Sequence, residues 1–170
     1  MSALLSKPLE RPGGAARLHP MRASDLPEVM AIERAVYPLP WSEGNFVDSM
    51  AAGYQAFVLR RAPALREIRA PLLGYFLAMQ GFEEMHLLNI SVAAEFQGQG
   101  WACQMLDALR RICEEQACPQ LWLEVRVSNH RAREVYRRYG FTEVGLRRGY
   151  YPVLQGPRED ACLMSLAVVS

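Results

Sequence analysis

The stretch EMHLLNISVAAEFQGQGWACQMLDALRRICEE, residues 84–115, restricts the fold more than any other: an apolar run, a turn carrying Gly98 and Gly100, then a long amphipathic pattern. Trp101, Met105, Leu109 and Ile112 recur at helical spacing, which predicts a helix from Gly98 to about Ala117, ending before Pro119. LWLEVRV (121–127) follows as a buried strand, NHRAREVYRRYG (129–140) as a helix closed by Gly140, and FTEVGLRRGYY (141–151) and ACLMSLAV (161–168) as two further strands. Upstream, Ser24 is the expected N-cap of a first helix whose mostly apolar face is Leu26, Val29, Met30, Ile32, Glu33 and Val36. The prolines of YPLPWS (37–42) break that helix, and Ser42 caps a second, shorter one running to about Ala52. YQAFVLRR (54–61) and PLLGYFLAMQG (71–81) read as antiparallel strands. The order β-α-α-β-β-β-α-β-α-β-β fits an α/β fold (mixed α+β) with a mixed sheet and helices on both faces.

At 170 residues and 51% hydrophobic content, the chain is long enough for one domain with a substantial core. Residues 1–15 read as a loose tail, with order beginning near Ala16. Nineteen basic against eighteen acidic side chains leave a net charge of +1, which gives no global reason to expect nucleic acid or an anionic membrane as partner. No apolar run approaches the roughly 20 residues that span a bilayer, and the N-terminus lacks the apolar middle of a signal peptide, so a cytoplasmic protein is expected. Cys103, Cys113, Cys118 and Cys162 show no metal or disulfide spacing and are expected to be reduced thiols. No metal site is expected.

The glycines ask for bare backbone at the mouth of a helix. The first amides of a helix have no intrahelical partner, and glycine lets a ligand approach them, so the turn can cradle an anion, with phosphate the natural guest. The spacing fits neither the dinucleotide fingerprint nor the P-loop. For a lone Gly-x-Gly, a plain tight turn at the helix start is the stronger reading.

NISVAAEFQGQGWACQMLDAL resembles motif A of the GCN5-related N-acetyltransferases, with Gln97-x-x-Gly100-x-Ala102 at its core. LWLEVRVSNHRAREVYRRYGF and GLRRGYYPVLQGPREDACLMSL are similar to the RimI group, the bacterial peptide N-terminal acetyltransferases; the likeness covers roughly residues 16–168. It implies a single domain over 16–170, mostly antiparallel, with a central, splayed parallel strand pair. It implies acetyl-CoA as cosubstrate, its pyrophosphate on the main chain of Gln97, Gly98, Gln99, Gly100, Trp101 and Ala102, and its acyl arm along Ile90, Ser91 and Val92, where a Val92 amide helps hold the oxyanion. Asn129 matches an asparagine that faces CoA, although its plainer role is the N-cap of its helix. Gly98 and Gln99 stand where the family often carries basic residues, and 62–70 is an expanded loop.

Acyl transfer to an amine needs a base, because an ammonium has no lone pair and a peptide N-terminus titrates near pH 8. Glu124, central in LWLEV, is the candidate; buried there without partners its carboxyl would tend upward, and a structural pairing with Arg126 or another arginine is the other reading. The resemblance assigns the base to Glu124, directly or through water, and the acid for the departing thiolate to Tyr136; Tyr139 is read as structural. Trp41 and, by resemblance, Tyr150 and Tyr151 line the acceptor from loops, though Trp41 suits a core plug nearly as well. The arginine pairs of YRRYGF and LRRGYY read as solvated charge. The implied acceptor is a protein N-terminus, the alanine of small-subunit ribosomal protein number eighteen, served by a monomer or weak dimer. A lysine side chain, a small amine, or a non-catalytic acyl-CoA-binding role are the alternatives.

Overall fold

The computed structural model describes residues 9–11, 14–62 and 70–168. The chain forms two compact units, one taking residues up to Leu77 together with Asn89–Leu109, the other Ala78–Leu88 with Arg110 onward.

The first unit contains β1 (Leu9–Arg11), β2 (Gly14–Pro20), α1 (Leu26–Val36), α2 (Glu43–Ala51), β3 (Gln55–Arg61), the start of β4 (Leu72–Gln80), the end of β5 (Glu84–Val92) and the first turns of α3 (Trp101–Glu115). Its strands lie in the order β1-β2-β3-β4-β5. β1 and β2 pair antiparallel from Leu9↔Ala16, so part of the expected tail is a strand. The free edge of β2 offers an unpaired row of peptide groups, and pairing there outweighs a weak local signal. Residues 1–8, 12 and 13 of that segment, and positions 63–69 of the expected 62–70 loop, lie outside the described residues.

α1 does not use the expected Ser24 cap. Asp25 occupies the N-cap position after a short 3₁₀ turn, and its carboxylate accepts the Arg22 N–H at 2.9 Å and pairs with Arg60 at 2.7 Å. A partly buried ion pair to β3 thus decides where the helix begins. Ser42 caps α2 as expected, accepting the Asn45 N–H at 3.2 Å while Asn45 Oδ1 accepts the Ser42 N–H at 2.9 Å. The core here is Leu26, Val29, Met30, Phe46, Val58, Leu72, Tyr75 and Leu77, which buries the inner faces of α1 and α2.

The second unit holds the start of β5, the end of α3, β6 (Gln120–Arg126), α4 (His130–Tyr139), β7 (Thr142–Tyr151) and β8 (Glu159–Ala167), with strand order β5-β6-β8-β7. β5 and β6 run parallel, from Glu84↔Gln120 to Leu87↔Leu123; β6–β8 and β7–β8 are antiparallel. Met85, Leu87, Leu121, Leu123, Val125, Phe141 and Met164 are buried. The expected fold class, a mostly antiparallel mixed sheet with a parallel pair, is the one observed.

Candidate active site

In the first unit the chain leaves β5, makes a short 3₁₀ turn at Ala94–Phe96 and enters α3 through the glycine turn. Gly98 and Gly100 both take left-handed backbone conformations, with φ of +77° and +83°, so α3 starts at Trp101 rather than at Gly98. A Cβ on Gly98 would meet nothing within 4 Å; the demand for glycine there is torsional, not steric. The Gln104 N–H donates to Gly100 O at 3.2 Å, so the amides of Trp101, Ala102 and Cys103 precede the helical ladder. Amides without intrahelical partners, together with the positive end of a helix dipole, are the chemistry that favours an anion. Trp101 is 1% exposed, and its Nε1 donates to Gln99 Oε1 at 3.2 Å, which anchors the head of α3. Gln97 Nε2 donates to Val92 O at 3.0 Å and ties the turn to the end of β5.

β5 itself is unusual just before that turn. A Cβ on Gly74 of β4 would collide with the Ser91 carbonyl and sit 3.0 Å from Met105 Cε, so the two strands approach at a point only glycine allows. Ser91 Oγ donates to the Tyr37 hydroxyl at 3.0 Å, and that hydroxyl donates to Ile90 O at 3.1 Å. Burial pushes the Tyr37 pKa up, so it stays a neutral donor.

In the second unit, β6 alternates: Leu121, Leu123 and Val125 are buried, whereas Trp122, Glu124 and Arg126 are half-buried on the other face. Of the two readings of Glu124, the pairing with an arginine is observed, and the partner is not Arg126. Glu124 Oε1 lies 2.6 Å from Arg147 Nη1 of β7, and Arg126 pairs instead with Glu159 at 2.9 Å. Arg147 also stacks on the Tyr150 ring, 4.6 Å from its centroid; it stays largely exposed, as expected for an arginine of LRRGYY, while pairing with Glu124. Tyr150 and Tyr151 end strand β7 rather than lying on a loop, because the strand continues through an irregularity between Arg147 and Tyr151 where Gly149 takes φ +55°. Their rings meet edge to face at 4.9 Å, and the Tyr151 hydroxyl donates to Glu124 O at 2.9 Å. Asn129 caps α4, its Oδ1 accepting the Ala132 N–H at 3.1 Å. Gly140 closes α4 in the left-handed region, and between these caps Tyr136 packs edge-on against Phe141 at 5.7 Å. Tyr139 touches the same ring at 6.1 Å.

Among the described residues no cluster of His, Cys, Asp or Glu is placed to hold a metal ion. The four cysteines are free; burial pushes the Cys113 thiol up to about 12, which makes it a poor nucleophile.

The acetyltransferase (GNAT) family profile matches residues 26–141, from α1 to the end of α4. The chain belongs to the GNAT family of acetyltransferases. It is 33% identical to the [ribosomal protein bS18]-alanine N-acetyltransferase of Escherichia coli strain K12, covering 87% of this chain and 95% of that one. It is 31% identical to the enzyme of the same name from Haemophilus ducreyi, over 84% of this chain and 93% of that one. The crystal structure of the ribosomal-protein-S18-alanine N-acetyltransferase from Escherichia coli superposes with a TM-score of 0.77 and 32% identity, covering 91% and 95% of the two chains.

Two features of this GNAT acetyltransferase escaped the sequence reading. One is Arg147 as the partner of Glu124, a pairing 23 residues apart that only the β6-β8-β7 order creates. The other is Glu33, 1% exposed, whose carboxylate accepts bonds from Trp41 N–H, Tyr75 and Asn89. A signal for it existed: Glu33 falls in the apolar phase of α1, where a charge needs a built-in set of donors.

Proposed function

We propose that this GNAT acetyltransferase transfers the acetyl group of acetyl-CoA to the N-terminal amine of a protein, with the N-terminal alanine of ribosomal protein bS18 as substrate. The observation that carries the reading is the glycine turn: two left-handed glycines set bare amides at the head of a helix anchored by buried Trp101, Met105 and Leu109. That cradle suits a diphosphate, and the family and the bS18-alanine relatives narrow the acyl carrier and acceptor.

Acetyl-CoA supplies the acetyl group as a thioester. The main chain of Gln97–Ala102 binds its diphosphate, Ile90, Ser91 and Val92 align its arm through strand-like hydrogen bonds, and Asn129 faces it from the start of α4. Glu124, directly or through a water, takes the proton of the incoming amine as its nitrogen bonds to the acetyl carbon. Tyr136 gives its proton to the sulfur as the carbon–sulfur bond breaks. Trp41, Tyr150 and Tyr151 hold the first residues of the acceptor. The enzyme works in the cytoplasm on a protein rather than a nucleic acid, as a monomer or weak dimer and without a metal. Mass spectrometry of an alanine-first peptide carrying one lysine tests this: a single α-acetyl group is expected, and ε-acetylation or no product refutes it.

A further inference from the structure

Glu33 is a buried carboxylate with no part in the chemistry proposed above, and three donors from three different elements converge on it. The Trp41 N–H, from the segment between α1 and α2, reaches Oε1 at 2.8 Å; the Tyr75 hydroxyl, from β4, donates to Oε2; Asn89 Nδ2, from β5, lies 3.3 Å from each oxygen. Tyr75 is 0% and Asn89 8% exposed. Beyond Asn89 on the same strand, Ser91 donates to Tyr37, which donates to Ile90 O. Asn89 turns its amide nitrogen to Glu33 and leaves its Oδ1 buried without a partner among the described residues, so its orientation is set by the carboxylate.

An apolar side chain would fill this part of the core without the desolvation cost of a carboxylate. A carboxylate does something else: its two oxygens accept from several directions at once and lock the donors to one another. The elements locked here are those that carry Trp41 and the Ile90–Ser91 backbone. We propose that Glu33 is a positioning residue that fixes the acceptor-binding segment around Trp41 to the acyl-arm strand at Ile90–Ser91. The inference rests on the acyl-transfer reading above. Glutamine at position 33 offers one acceptor oxygen to three converging donors, so it releases at least one of them while keeping nearly the same volume.

The test compares wild type, Glu33→Gln and Tyr75→Phe in steady-state acetylation of an alanine-first peptide, with acetyl-CoA affinity from calorimetry and the Trp41 amide followed by ¹⁵N–¹H NMR. In Glu33→Gln the Trp41 amide proton moves upfield, the peptide KM rises about tenfold, as for one lost hydrogen bond to a charged group, and acetyl-CoA affinity stays within about twofold. An unchanged peptide KM in a folded variant whose Trp41 amide has moved overturns the proposal. So does an equal loss of acetyl-CoA affinity, the sign of a merely structural role. If Glu33→Gln does not fold, Tyr75→Phe, which keeps the ring and removes one donor, is judged by the same KM criterion. Failure of the wild type to acetylate the peptide refutes the functional reading itself, an outcome separate from these.

Discussion

Arg147 holds Glu124: the guanidinium of a β7 residue that is 58% exposed lies 2.6 Å from the carboxylate of a β6 residue that is 17% exposed. An ion pair this open to solvent contributes little to stability, typically up to about 1 kcal/mol. Its interest lies in which partner matters.

Glu124→Gln is expected to lower the acetylation rate by roughly 10²–10⁴-fold, with partial recovery at high pH as the amine loses its proton unaided. Arg147→Met is expected to leave stability within about 1 kcal/mol and to cost far less rate, because only a structural pair fails equally when either member is removed. Rates over pH and chemical denaturation of both variants check this; equal losses would return Glu124 to a structural role.

Gly100→Val places a branched side chain on a left-handed residue at the head of α3, and acetyl-CoA affinity measured by calorimetry should fall by at least about tenfold. Gly98→Ala meets no neighbour, so it should cost only the torsional strain of its φ, about 1–2 kcal/mol in the melting transition.

Gly74→Ala sets a methyl group against the Ser91 carbonyl of β5. Neither backbone can yield cheaply, and a loss of about 1–3 kcal/mol is expected in urea denaturation. Because Ser91 neighbours the proposed acyl arm, acetyl-CoA binding should weaken in the protein that remains folded.

The carboxyl of Glu159 feels opposed effects: burial raises its pKa, but hydrogen bonds from Ser128 and the pairing with Arg126 prevail and hold it below the usual carboxylate range. A depressed folded-state value means that its contribution is present above the ordinary glutamate pKa and is lost as pH falls through the lower, folded value. Melting temperature against pH should therefore decline less steeply on the acid side for Glu159→Gln than for wild type. Parallel curves would contradict the assignment.

Much of the site was legible from local chemistry. Glycines at 98 and 100 announced a backbone that other residues resist, Ser42 and Asn129 announced caps, and the short apolar run of LWLEV announced a strand. Each of these is decided by atoms a few bonds apart. Burial of Glu124 was misjudged because a short apolar run looks alike whether one face or both are covered, and the alternation of β6 was settled by what packs on each side.

The sequence by itself determined the order of the elements from β2 onward and the glycine turn at the head of α3, since period, turn residues and caps act locally, and its motifs carried the resemblance to the GNAT family. Only the tertiary structure decided that Asp25 and Arg60 set the start of α1, that Glu33 gathers donors from β4, β5 and the segment before α2, and that Glu124 meets Arg147. Each of these joins residues between 8 and 56 positions apart. Charges and donors so distant in the chain carry no local preference for one another; they meet because strand order and helix packing bring them together, and burial then makes each pairing costly to leave unmade.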